Sequence, residues 1–229
     1  MDHIGAETLK RMDTARFYND EIFRRAKPFM HGDILEIGCG IGSFTKKLTK
    51  RGDVWAIDIE KYYISKTKKA LGKSAHVGFG DIEAGKYFFD SKKKFDSIIC
   101  LNVLEHIKND DTTLKNISNL LKKGGSVFLL TPAHQLFFGS LDQGLGHERR
   151  YTVKKLGDQF TKAGLTVQHT YYFNAFGGIG WFVNSRIFRR KIMPSNQLRI
   201  FTMIGRIPLF FEKFIRPPFG LSVIVVASK

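Results

Sequence analysis

Short apolar runs alternate with helical segments along most of this chain, and that rhythm restricts its fold more than any other feature. "DILEIG" at 33–38, "VWAIDI" at 54–59, "AHVGFGDI" at 75–82, "FDSIICLNVL" at 95–104 and "SVFLLTP" at 126–132 read as five strands. Between them lie segments with apolar residues at helical spacing and basic residues or glycine at their ends: 43–52, 61–72 and 110–125. A further helix is read over 14–30, stopped by Pro28, and another over 152–164, capped by Thr152. Two last strands, 165–173 and 221–229, break the alternation, because an aromatic and basic stretch separates them. Strands alternating with helices of roughly 10–15 residues specify a doubly wound α/β sheet, parallel over most of its width. Such sheets take ligands beyond the carboxyl ends of their strands, so function is sought in the loops that follow them.

The loop after the first strand is "IGCGIGSF", with Gly38, Gly40 and Gly42 at alternate positions and Glu36 just before them. Glycines there let the backbone approach a ligand closely. A dinucleotide loop reads G-x-G-x-x-G/A and places a pyrophosphate on a helix N-terminus. Here Ser43 stands where the third glycine or alanine is required. A carboxylate is also poor company for a pyrophosphate. The pair of features suits a ligand with an ammonium or a sulfonium and no phosphate, such as S-adenosylmethionine. Asp58 ends the second strand, where it can accept from both hydroxyls of a ribose. Asp81 in "GFGDI" can accept from an exocyclic adenine amine, between the apolar walls of Ile59 and Ile82.

Taken together, "LEIGCGIG", "AIDI", "GDI" and "CLNVLEHI" resemble the class I S-adenosylmethionine-dependent methyltransferases, and "VLEH" is similar to the small-molecule (type 11/12-like) branch. The resemblance covers roughly residues 14–172 and the final strand. It implies a Rossmann-like seven-stranded mixed sheet of order 3-2-1-4-5-7-6 with strand 7 antiparallel, and a helical insertion between strands 6 and 7. It further implies that Glu36 and the backbone at Gly38, Cys39, Gly40 and Gly42 hold the methionine end of the cofactor. Asp58 would hold the ribose, and Asp81 and Ile82 the adenine. Asn102 would lie beside the methionine part or the transferred methyl, and Tyr18 would close over the cofactor from the N-terminal helix. The product is S-adenosylhomocysteine. One domain is expected over 1–229, with a helical cover at 1–32, a cofactor core at 33–172 and 219–229, and the insertion at 173–218.

The loop after the fifth strand, "TPAHQLFFGSLDQGLGHERRYT", begins over the expected site. It resembles the "GH.RRYT" segment of bacterial methyltransferases that act on sugars, lipids and secondary metabolites. His147 is the first candidate for a general base, followed by His134 and His106. Arg149, Arg150 and Tyr151 are candidates for gripping an acidic group of the acceptor, with pinning of the loop to Asp142 or Glu148 as the structural alternative. No metal site is read. No "DPPY" or "NPPY" follows the fourth strand, which argues against methylation of base amines in nucleic acid. Cys100 lies inside an apolar run, away from any proline, so no cysteine nucleophile is read.

Charge bears on partners. The net charge is +16, which attracts anionic surfaces or substrates. Within 173–218, eight lysines and arginines face the single acid Glu212, interleaved with Ile179, Val183, Ile187, Phe210, Phe211, Phe214 and Ile215. A basic amphipathic segment of this kind can lie on an anionic membrane, cover a substrate, contact a second chain, or simply pack its apolar stripe into the core. No run approaches the roughly 18 apolar residues of a membrane span. "MDHIGAETLKRMD" lacks the apolar core of a secretory leader, and two cysteines cannot build a disulfide framework. A cytoplasmic location, peripheral to a membrane if the insertion binds lipid, is the expectation. The expected activity is methyl transfer to an oxygen or nitrogen of a small molecule. A tRNA methyltransferase and a non-catalytic cofactor-binding or membrane-associated protein are the rivals; oligomeric state is not legible.

Overall fold

The computed structural model describes residues 15–90, 92–190, 203–212 and 214–229. Residues 1–14 of the expected cover, and Lys191, Arg199 and Lys213 of the basic stretch, lie outside the described residues.

The strands are β1 (Gly32–Ile37), β2 (Gly52–Asp58), β3 (His76–Asp81), β4 (Lys86–Tyr87), β5 (Phe95–Leu101), β6 (Leu121–Pro132), β7 (Thr166–Phe173) and β8 (Ser222–Ser228). They form one sheet in the order β4-β3-β2-β1-β5-β6-β8-β7. The pairs β1–β2, β1–β5, β2–β3 and β5–β6 are parallel, and β8 runs antiparallel to both β6 and β7. The Rossmann-like architecture and the antiparallel last strand are therefore as expected. The count is eight rather than seven, because Lys86 and Tyr87 fold back on Asp81 and Gly80 at the sheet edge. Two residues are too few to leave an alternating pattern in a sequence.

Both faces of the sheet are covered, which is why its central strands are nearly continuous apolar runs. On one face Leu35, Ile37, Ile98, Cys100, Val127 and Leu129 pack against Leu114 and Ile117 of α4 (Asp110–Leu120) and Leu156 and Phe160 of α6 (Val153–Lys162). On the other, Ile34, Val54, Ala56, Ile99, Phe128 and Ile224 meet Tyr18, Ile22 and Ala26 of α1 (Arg16–Ala26), Leu48 of α2 (Thr45–Leu48) and Ile64 of α3 (Lys61–Leu71). The alternation of Cβ directions along each strand sorts neighbouring residues onto these two layers.

Three helix boundaries differ from expectation. The first helix ends at Ala26 and tightens into a 3₁₀ turn, Lys27–Phe29, with Pro28 near its start. α2 has only four residues of the span read at 43–52. α4 stops at Leu120, since Leu121 is already extended and opens β6. Lys122 does not cap the helix; its ammonium bonds Asp96 at 2.8 Å and Asp33 at 3.2 Å. Thr152 does cap α6, accepting from the Lys155 amide, and Asn109 caps α4 through the Thr112 amide.

After β7 the insertion forms α7 (Ala175–Phe182), a π-helical turn (Val183–Ile187) and α8 (Arg206–Phe211). The Glu212 carboxylate accepts from the Asn174 and Ala175 amides, each at 2.8 Å, and so holds the start of α7. This is the preferred place for a negative charge on a helix. The apolar stripe of the insertion is not core: Ile179 is 54% and Ile187 62% exposed.

Candidate active site

The glycine loop sits at the carboxyl ends of β1 and β2. Gly38, Gly40 and Gly42 all adopt positive φ, at 76°, 52° and 82°, a conformation that side chains resist. A Cβ on Gly38 would collide with Val103 Cγ2, and one on Gly42 would press on Thr67. The Gly38 amide donates to the Ile57 carbonyl at 2.8 Å, and the Thr67 hydroxyl donates to the Gly40 carbonyl at 2.8 Å. The loop is thus fixed from β2 and α3. Cys39 is buried, and burial pushes its thiol up from its ordinary value, so its backbone alone serves the loop.

Two carboxyl groups flank this loop. Glu36 is buried and accepts from the Thr45 hydroxyl; burial pushes it up to about 8. Asp58 accepts from the Gly40 amide through one oxygen and from the Glu60 amide through the other, each at 2.9 Å. Each oxygen keeps a second lone pair. Burial raises the Asp58 carboxyl as well. Ile59 beside it is 62% exposed and offers an open apolar face, whereas Ile82 is 4% exposed and belongs to the core. Asp81 closes a turn through the Ala84 amide at 2.9 Å. Asn102 directly follows β5 with φ of 52°, its amide held by the Leu130 carbonyl and its side chain exposed. A non-glycine residue in that region is strained and clusters at functional sites. Tyr18 is 4% exposed; its ring stacks on Phe173 at 5.6 Å and its hydroxyl bonds the Ser222 and Asn174 side chains.

The loop after β6 holds a second constellation. His134 also has positive φ, 59°, and its ring stacks on Tyr172 at 4.3 Å. Its Nε2 is buried without a protein partner. Burial and, next, the Arg150 charge lower its pKa, so the ring is neutral at physiological pH. His134 lines a cavity of about 330 Å³ with Leu136, Phe137, Ile179, Phe182 and Phe219, which places the insertion as one wall of this space.

Behind it, Asp142 of α5 (Ser140–Leu145) is fully buried and gathers four donors. They are Arg150 Nε at 2.7 Å, His147 Nδ1 at 2.8 Å, the Gly139 amide at 3.0 Å and Trp181 Nε1 at 3.1 Å. Burial works against its ionisation, but the His147 and Arg150 contacts hold Asp142 below the usual carboxylate range.

These contacts correct the acceptor-binding expectation. Arg150 bonds Asp142 through Nε and the Ala133 carbonyl through Nη1, and its guanidinium is inaccessible. Both Arg149 nitrogens donate to the Lys108 carbonyl at 3.0 Å, with Asp110 at 3.3 Å. Tyr151 is wholly buried, its hydroxyl 3.1 Å from Asp110. All three pin the loop, as the alternative reading allowed for Arg150. His106 and His147 meet edge to face, with centroids 4.9 Å apart, next to the buried Glu105. Sequence reading passed over Glu105 and Trp181. Glu105 stands beside His106 in "VLEH", but nothing in the residue types signals that it is buried.

A family model described as a methyltransferase domain matches residues 10–170. A mitochondrial ubiquinone biosynthesis O-methyltransferase of Dictyostelium discoideum is 25% identical over 169 residues, covering 66% of this chain and 52% of that protein. The chain spans about half the length of the curated relatives it matches. Among solved structures, an S-adenosylmethionine-dependent methyltransferase of Clostridium acetobutylicum superposes with a TM-score of 0.60 at 15% identity, covering 93% of this chain and 91% of that one. A coclaurine N-methyltransferase bound to N-methylheliamine and S-adenosylhomocysteine gives 0.62 at 15% identity, covering 94% and 72%.

Proposed function

Since this chain belongs to the methyltransferase-domain family, we propose that it takes S-adenosylmethionine as its methyl donor and methylates an oxygen or nitrogen of a small molecule seated in the cavity beside His134. The observation that carries this reading is the pairing of a positive-φ glycine turn with two buried carboxyl groups. The residues present fit the donor: the positive-φ glycine loop offers backbone rather than side chains, and Asp58 retains lone pairs for ribose hydroxyls. When bound, the donor supplies a methyl on a sulfonium, whose S–C bond breaks as the bond to the acceptor forms.

The chain's own residues position and deprotonate. Glu36 and the backbone from Gly38 to Gly42 hold the methionine end, Asp58 the ribose, and Asp81 with Ile59 the adenine. Asn102 marks the strand end where the methyl passes. A hydroxyl acceptor must lose a proton, whereas an amine attacks once neutral. His134 is the group to receive that proton, because it is neutral, lines the cavity and has an unpartnered Nε2. His147 is not among the residues that line that cavity. Alignment of the two reactants supplies the rest of the catalysis.

The surface of the insertion favours delivery of the acceptor from an anionic lipid interface. Ile207, Phe210, Phe211, Phe214 and Ile215 are each at least half exposed, and Arg186, Arg189, Arg206 and Arg216 are exposed nearby in the chain. So large an apolar surface marks an interaction site, and arginines around it suit anionic headgroups. Flotation with anionic vesicles at low salt tests this: co-flotation is expected, and flotation equal to that with neutral vesicles would contradict it. The test of the activity is transfer of labelled methyl to cell extracts fractionated into lipid, polar metabolite and RNA. Label in a low-mass acceptor is expected; label confined to RNA would favour the tRNA reading, and no label in any fraction the non-catalytic one.

A further inference from the structure

We propose that Glu105, His106 and His147 form a site for a divalent first-row transition cation. One potential ligand atom from each lies within 4.8 Å of the other two. Two features of the surroundings point to an ion rather than to chance proximity.

First, each imidazole is already anchored through Nδ1. His147 Nδ1 is 2.8 Å from Asp142 Oδ1, and His106 Nδ1 is 3.3 Å from the Gly146 carbonyl. With Nδ1–H donated in this way, each Nε2 carries a lone pair. Metal-ligating histidines have this arrangement, one nitrogen given to a carboxylate or carbonyl and the other to the ion. Second, Glu105 is fully buried, and only one of its oxygens is satisfied, by the Thr131 hydroxyl at 3.1 Å. Oε1 has no partner in the protein. A buried acceptor left unmade costs about 1–3 kcal/mol, more when charged, and a cation would remove that cost.

Two imidazoles and one carboxylate suit zinc, manganese, iron or cobalt better than magnesium or calcium, which prefer oxygen alone. Bonds of about 2.0–2.2 Å require the ligand atoms to draw in slightly. His106 is exposed and can make that movement. Three protein ligands leave coordination positions open, the pattern of catalytic rather than structural sites. The site goes beyond the methyltransferase reading and does not depend on it.

The test uses untagged full-length protein, stripped with a chelator and titrated with Zn²⁺ by calorimetry and with Co²⁺ by visible absorption. One equivalent per chain is expected. His106→Ala and His147→Ala should each weaken uptake more than tenfold, and Asp142→Asn by about 10–100-fold through loss of the anchor. His106→Ala is the decisive variant, because an exposed side chain can be removed without unfolding the protein. S-adenosylmethionine affinity, measured on the same samples, should not change in His106→Ala; its absence from wild type would count against the methyltransferase reading and leave the metal result standing. No uptake by wild type, or uptake equal in His106→Ala and wild type, would overturn the site.

Discussion

Replacing Glu36 by glutamine isolates the electrostatics of the glycine loop. Burial raises the Glu36 carboxyl from 4.5 to about 8 in the folded protein. A raised acid means that the native state holds a proton which the unfolded chain has released. Between about pH 4.5 and 8 the native state therefore binds more protons, and stability falls as pH rises through that window. The difference corresponds to a total on the order of 5 kcal/mol, reached above pH 8. Glutamine keeps the volume and the hydrogen bond to Thr45 but does not titrate. Urea unfolding of both proteins from pH 5.5 to 9 reads the effect directly. The wild type should lose stability relative to Glu36→Gln by roughly 1.4 kcal/mol for each pH unit up to about 8. Parallel curves for the two proteins would refute the buried, proton-holding carboxyl. The same linkage reaches the cofactor: a cation placed beside Glu36 favours its ionised form, so binding near pH 7 should release a proton, visible as a buffer-dependent binding enthalpy.

Gly38→Ala combines a collision with Val103 and a positive φ; it should cost at least about 1 kcal/mol of stability and weaken the cofactor in calorimetry. His134→Ala should lower kcat about 10²–10⁴-fold while cofactor affinity stays unchanged. Because the His134 pKa is lowered, its base form persists to lower pH, and the acid limb of the wild-type kcat profile should lie below the ordinary histidine range; a limb above that range would exclude it. Arg150→Ala leaves Asp142 buried without its ion-pair partner and should cost about 3–5 kcal/mol in denaturant unfolding.

Strands buried on both faces were legible because their apolar runs are continuous and bounded by glycine or an acid, as in "VWAIDI" and "SVFLLTP". The two-residue β4 was not, and neither was the end of α4, where "LLKKGG" carries the composition of a helix terminus but folds as the start of β6. Of the site, the glycine loop, Glu36 and Asp58 were readable because their spacing along one strand–loop–strand unit is local. The acceptor side was not, because its contacts join distant residues. Asp142 gathers Arg150, His147 and Trp181 across as many as 39 positions. Burial, which no residue type announces, turns Arg150 and Tyr151 from candidate substrate ligands into supports of the loop. The stripe Ile179–Val183–Ile187 reads equally as core or surface, and a π-helical turn through Val183–Ile187 displaces it from helical spacing.

The central claim is that a carboxyl-flanked glycine turn takes a sulfonium nucleoside and not a diphosphate. Calorimetric titration of the wild-type protein with S-adenosylmethionine and, separately, with a nicotinamide dinucleotide measures it. Saturable one-to-one binding of the first with no heat from the second is the expected result. Binding of the dinucleotide, with none of the sulfonium compound, would contradict the account.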